Sequence, residues 1–279
     1  MELQETITAL VTPFSGGEVD FDGLKRNIEF QIAGGVTSLL LLGSTGEMHT
    51  LTKEERETLV PFVKEVIADR VSLMVNVSSS ATTDAVQFAK YAEEKGADTL
   101  LLSPPPYLCP SEDGIIAHFE EVLKATSLPV MLYNIPKRVT VSITENIAKH
   151  FSGTSNILGV KEASGSLQTM LMLSQYMPIY AGNDAEYIAA RALGAKGVVS
   201  VISNLDPGLI VELTKTASCA LQEQVLQLSN ILSCGPNPVA IKAAMNLRGM
   251  AAGDVRLPLT PLSENAKNTM AEKLGVATV

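Results

Sequence analysis

The sequence predicts a closed (β/α)8 barrel of the TIM type followed by a C-terminal helical domain. Short β-branched apolar runs alternate with longer segments of helical period. The runs are apolar almost throughout, as strands of a parallel sheet covered by helices must be. Residues 219–279 hold helical patterns without strands and are broken at "CGPNP" and "LPLTP". An open doubly wound sheet would alternate in the same way, but no G-x-G-x-x-G follows the first run.

The strand runs, in chain order, are Thr6–Val11, Ser38–Leu42, Ser72–Val77, Thr99–Leu102, Val130–Tyr133, Ile157–Val160, Ile179–Ala181 and Val198–Val201. Helical stretches between them include Thr52–Ala68, Thr83–Lys95, Gly114–Lys124, Thr144–His150, Leu167–Tyr176 and Glu186–Leu193. Thr52 stands three residues before Glu55, a capping-box spacing, and Thr83 with Asp84 opens the next helix. The expected division is a catalytic barrel over 1–218 and a helical domain over 219–279.

Composition narrows the partners. A chain of 279 residues with 46% hydrophobic and 18% charged side chains suits globular material, and a net charge of -9 without a Lys/Arg block argues against nucleic acid. No apolar run reaches bilayer-spanning length and the N-terminus lacks a signal-like core, so no membrane partner is expected and the predicted location is cytoplasmic. Cys109, Cys219 and Cys234 are odd in number and widely spaced, which predicts reduced, structural thiols. His49, His118 and His150 have no ligand spacing, so no protein-bound metal is expected.

A barrel of this kind carries its chemistry at the C-terminal ends of its strands. There the sequence puts Thr12, the run Gly43-Ser44-Thr45-Gly46-Glu47, Ser103, Tyr133-Asn134, Lys161-Glu162, Gly182-Asn183-Asp184 and Ser203-Asn204. Singly, a strand-end Ser or Thr is a helix cap. Lys161 carries more information: an ammonium ringed by apolar side chains loses hydration and its pKa falls. The neutral amine attacks a ketone to give an imine, whose protonated form is an electron sink for enamine chemistry. A strand-end lysine can equally snorkel, or pair with Glu162 or Glu47. Tyr133, one strand away, offers a hydroxyl that can pass protons; it can also be a packed tyrosine. The turn "GSTGE", with two hydroxyls and a Gly46 backbone, suits a carboxylate. "PPPY", residues 104–107, resembles a docking peptide for proline-binding modules but joins a strand to a helix, which predicts a tight loop.

The motifs "GSTGE", "YNIP" with Arg138, "GVKEASG", "GNDA" and "RLPLTPLS", in this order over almost the whole chain, resemble the pyruvate-dependent class I aldolase family that includes N-acetylneuraminate lyase. The resemblance implies an imine between Lys161 and pyruvate, with Tyr133 as proton donor and acceptor and no separate cofactor. Ser44 and Tyr107 would complete a hydroxyl relay, Tyr107 coming from the neighbouring subunit of a tight dimer. Thr45 would bind the pyruvate carboxylate and the backbone around Val199 would close its pocket. Arg138 would take the carboxylate of the aldehyde partner. In the synthase branch this is L-aspartate 4-semialdehyde, giving 4-hydroxy-tetrahydrodipicolinate for diaminopimelate and lysine. Homotetramers of two such dimers, or the dimers alone, are implied.

Departures bear on the substrate. Ser44 stands where the synthase branch commonly has threonine and resembles the sugar-acid lyase branch, whose substrates are N-acetylneuraminate or 2-keto-3-deoxy sugar acids; Val139-Thr140 replaces the usual Thr-Gly after Arg138. Arg138 and Ala163 favour the synthase. The resemblance also places a lysine-binding cleft at Met48, His49, Lys53, Ser80, Asp84 and Pro106. Lys53 would repel an effector ammonium and Pro106 removes an aromatic face, so inhibition by lysine is expected to be weak or absent. A barrel holding pyridoxal phosphate on Lys161, or a silent metabolite-binding barrel, are the readings from other classes.

Overall fold

In a computed structural model of the chain, residues 5–276 are described. Eight strands close a parallel barrel: β1 (Thr6–Ala9), β2 (Ser38–Leu41), β3 (Ser72–Asn76), β4 (Thr99–Leu102), β5 (Val130–Asn134), β6 (Ile157–Glu162), β7 (Ile179–Ala181) and β8 (Gly197–Ser200), which returns to β1. All eight expected runs are strands. The helices alternate with them on the outside. Lys53–Ile67 begins with the predicted capping box, Thr52 Oγ1 accepting the Glu55 N–H at 3.2 Å and Glu55 Oε2 accepting the Thr52 N–H at 2.8 Å. It turns Leu59, Val60, Val63 and Ile67 onto the barrel. Each such side chain contributes roughly 1.5–3 kcal/mol by burial. The next helix is Thr82–Glu94, so Thr82 opens it in place of Thr83. Helices Pro207–Thr216, Cys219–Leu232, Val239–Leu247 and Glu264–Leu274 follow β8.

Side chains alternate across each strand, and Ile7, Leu40, Met74, Leu101, Met131 and Val199 fill the barrel interior. Tyr133 lies two residues beyond Met131 and therefore faces inward, above this layer. Between β5 and β6 the register slips. Val130 is opposite Ile157 but Met131 is opposite Gly159, so Leu158 is an extra residue. At Gly159, with φ 144°, a Cβ would run into the Pro178 carbonyl, which leaves room for glycine only. Beyond this bulge Tyr133 is opposite Lys161, and the lysine points inward with it. The strand runs on through Lys161 and Glu162, two residues past the end at Val160 that its apolar run predicts.

The loop containing "PPPY" is tight, with Pro104 and Pro105 buried. The three cysteines are free, but all are exposed, so they are not the structural thiols expected. Among the described residues no helix is long and apolar enough to cross a membrane, and no cluster of three His, Cys, Asp or Glu side chains is arranged to hold a metal ion.

Candidate active site

Lys161 is 5% exposed, and its Nζ lies 4.4 Å from the centroid of the Tyr133 ring. Among the described residues it has no ion-pair partner within 4.0 Å. The two acids named as its alternative partners, Glu162 and Glu47, are engaged elsewhere. Glu162 Oε2 accepts Asn134 Nδ2 at 2.6 Å and Oε1 the Ser164 N–H at 2.6 Å, while Glu47 Oε1 accepts Lys242 Nζ at 2.6 Å. Burial therefore dominates, and it pulls the Lys161 ammonium down to about 7, against the opposing charge of Asp184 and with help from the Arg138 cation. Near neutral pH a large share of this amine is unprotonated. Tyr133 is shifted the other way. Burial pushes its hydroxyl up to about 12, against the Arg138 charge and the Ser44 hydroxyl, so it stays a neutral donor and acceptor.

A cavity of about 450 Å³ at the C-terminal ends of the strands is lined by Ser44, Thr45, Tyr133, Arg138, Lys161 and Asn237. Five of the eight expected site residues are thus brought together. Among the described residues, neither Ser44 nor Thr45 donates its backbone N–H within the chain, so the turn offers N–H and O–H donors side by side. Gly46 does not join them: its N–H donates to the Gly43 carbonyl at 3.0 Å and its carbonyl accepts the Thr12 hydroxyl at 2.7 Å, which makes it the pivot of the turn. Val199 is fully buried in the interior layer below the cavity, and Val201, two residues on, lines it. Tyr107 borders a second cavity of about 610 Å³, which shares Ser44, Tyr133 and Arg138 with the first. It is 89% exposed and holds φ 74°, so within one chain it makes little contact with anything.

Asn237 was legible only as part of a break in the helical pattern. Its Nδ2 donates to Thr45 Oγ1 at 2.9 Å and its carbonyl accepts Arg138 Nη2 at 2.7 Å. It ties together the two groups expected to hold carboxylates. Asp184 was expected only as one of the polar groups at the end of β7, with no role of its own. Its buried Oδ2 accepts the N–H groups of Val201 at 2.9 Å and Ile202 at 3.2 Å, and burial raises its pKa. Neither residue's bonding partners were legible, because each bond joins separate segments of the chain.

A closed parallel barrel whose rim carries a buried, unpaired lysine beside a tyrosine defines an enzyme of the class I aldolase type. The family model for the dihydrodipicolinate synthetase family matches residues 2–277, and the chain belongs to that family. It is 35% identical to the 4-hydroxy-tetrahydrodipicolinate synthase of Methanococcus maripaludis (strain C7) over 98% of both chains. It is 36% identical to the synthase of the same name from Bacillus velezensis, over 97% of this chain and 98% of the relative. Among solved structures, dihydrodipicolinate synthase from Aquifex aeolicus superposes with a TM-score of 0.95 at 33% identity, covering 98% of this chain and 97% of that one.

Proposed function

We infer that the chain condenses pyruvate with L-aspartate 4-semialdehyde to 4-hydroxy-tetrahydrodipicolinate, on the route to diaminopimelate and lysine, through an imine on Lys161. The observation that carries this is the unpaired Lys161 amine, held by burial near neutrality and set against Tyr133. Thr45 and the free N–H groups of the turn take the pyruvate carboxylate. The neutral Lys161 amine attacks C2, and loss of water from the carbinolamine leaves a protonated imine. That cation acidifies C3, whose proton passes to the Tyr133–Ser44 hydroxyl relay to leave an enamine, which forms the new carbon–carbon bond to the aldehyde carbon. The Tyr133 hydroxyl passes protons to and from the reacting oxygens, with Ser44 next in the relay. Arg138 holds the carboxylate of the semialdehyde. Its amino group then attacks the imine carbon, displaces Lys161 and closes the ring. The protonated imine is the electron sink, so the reaction calls on no metal for that role.

Further readings rest on the same site. Tyr107, projecting from the loop with Leu108, which is 60% exposed, reaches the relay of a second copy in a homodimer, and two dimers make a tetramer. Residues 1–218 supply the catalytic barrel and 219–279 the helical domain, which reaches back into the site through Asn237. Three exposed free thiols suit a reducing cytoplasm.

Borohydride added with pyruvate is expected to inactivate the enzyme irreversibly and leave a reduced adduct on Lys161 in a peptide map. Lys161→Ala should abolish both effects. An adduct on another lysine, or none, overturns the imine. Faster cleavage of N-acetylneuraminate than condensation with the semialdehyde would move the chain to the lyase branch.

A further inference from the structure

The turn that carries Ser44 and Thr45 is gripped from outside the barrel. Glu47 closes that turn with φ 54° and ψ 36°, a left-handed conformation that a non-glycine residue keeps only when its surroundings hold it. Its N–H donates to the Ser44 carbonyl at 3.3 Å. Its side chain is 0% exposed, and both carboxylate oxygens are bound by the C-terminal region. Oε1 accepts Lys242 Nζ at 2.6 Å and Oε2 accepts the Arg256 N–H at 3.1 Å. Lys242, itself 1% exposed, gives a second hydrogen bond to the Asp254 carbonyl at 2.8 Å, which closes the ring back toward Arg256. The Arg256 guanidinium in turn holds Glu55 with contacts of 2.6 and 2.7 Å and donates to the Thr50 carbonyl at 3.2 Å. Lys242 and Arg256 each stand 4.2 Å from the centroid of the Phe14 ring.

A buried ion pair is a poor source of stability, because taking both charges out of water offsets most of their attraction. What it does supply is geometry: a carboxylate with both oxygens occupied has one place to be. We propose that Lys242 is a positioning residue which, by clamping Glu47 together with the Arg256 N–H, sets the Gly43–Glu47 turn so that Ser44 and Thr45 face Lys161. This rests on reading Ser44 and Thr45 as substrate-contacting groups. The consequence is that Lys242 and Arg256, in the region past residue 218, shape the pyruvate site without lining its cavity.

The test compares Lys242→Met with the double variant Lys242→Met/Glu47→Leu, reading Tm beside the single-turnover rate of borohydride-trapped imine formation. The single variant strands a buried carboxylate, so Tm and rate both fall. In the double variant both charges are gone and Tm is expected to recover, while imine formation stays roughly 10- to 100-fold slow and KM for pyruvate stays high. Parental Tm together with an imine rate within about twofold of the parent overturns the proposal. Glu47→Gln keeps the side chain's shape and serves if the double variant does not fold. With an unchanged near-UV spectrum, a rate about 5-fold or more below the parent supports the clamp and an unchanged rate overturns it. Ser44→Ala and Thr45→Val run in parallel. If they slow the imine and the clamp variants do not, only the clamp fails; if they too are inert, the substrate reading of the turn fails and the clamp with it.

Discussion

Lys161 and Tyr133 are cross-strand partners, opposite one another on β6 and β5, with the lysine Nζ 4.4 Å from the centre of the tyrosine ring. The bulge at Leu158 puts them in register, and the alternation of each strand then turns both inward. Their protonation follows from that placement: burial lowers the amine and raises the phenol, so near neutral pH a large share of the nucleophile is uncharged and the proton carrier is neutral.

The first prediction is an acid limb. Protonated Lys161 cannot attack, and burial holds its pKa at about 7, so kcat/KM for pyruvate is expected to fall about tenfold per pH unit below that value. The initial rate of borohydride trapping against pH checks it. A limb near 10, where an ordinary lysine titrates, would show that Lys161 is not desolvated in solution.

Removing only the Tyr133 hydroxyl should separate chemistry from packing. Tyr133→Phe keeps the ring against Lys161, so Tm is expected to stay close to the parent while kcat drops by about 10²-fold or more. Stopped-flow kinetics on a variant shown to be folded decide the matter; a loss below about threefold would assign the proton transfers elsewhere.

Arg138 is expected to matter for the second substrate more than the first. A charge-assisted contact contributes roughly 1.5–3 kcal/mol, so Arg138→Ala should cut kcat/KM for the semialdehyde by about 10- to 150-fold. Imine formation with pyruvate should change far less. Because Arg138 also bonds the Asn237 carbonyl, which leads to Thr45, equal loss in both half-reactions would mean that Arg138 works chiefly through that bridge.

Lysine in the millimolar range is expected to inhibit weakly or not at all. The six residues expected to line its cleft do not share one cavity: Lys53 and Asp84 border one of about 150 Å³, His49, Ser80 and Pro106 border the larger one beside Tyr107, and Met48 borders both. Arg56 adds a second cation next to Lys53. Initial rates at subsaturating pyruvate test this, and strong cooperative inhibition would overturn it.

His118 should make the fold acid-sensitive. It is 3% exposed, its Nδ1 lies 2.9 Å from the Thr82 hydroxyl, and its Nε2 has no partner among the described residues. Burial lowers its pKa to about 4 from the usual 6.5. The unfolded chain therefore takes up a proton at a higher pH than the folded one does. The stabilisation is complete above pH 6.5 and is lost as the pH falls toward 4, with a magnitude on the order of 3 kcal/mol. Urea unfolding of the parent and of His118→Gln across this range measures it; parallel curves would remove His118 as the cause.

Patterns written in neighbouring residues determined the barrel. Each strand is a local apolar run and each capping signal spans only a few positions, so the eight strands and the Thr52–Glu55 box were legible in the chain itself. The motifs named the lysine, the tyrosine and the turn for the same reason. The helix Phe21–Ala33 was not legible, because its buried face interleaves Leu24 and Ile28 with Asn27 and Gln31, whose polarity hides the period. Those polar side chains are buried only because the fold brings them partners, Gln31 bonding Thr8 at 2.8 Å and the Ser203 carbonyl at 2.8 Å. Lys161 read as a residue beyond a strand, since a charge ordinarily marks a strand's end; closure of the barrel carries the ladder past it. Tertiary structure alone decided that Glu47 pairs with Lys242, 195 positions away, and that Asn237 spans Thr45 and Arg138. Such contacts have no local sequence period, because a buried polar group is specified by whatever distant group satisfies it.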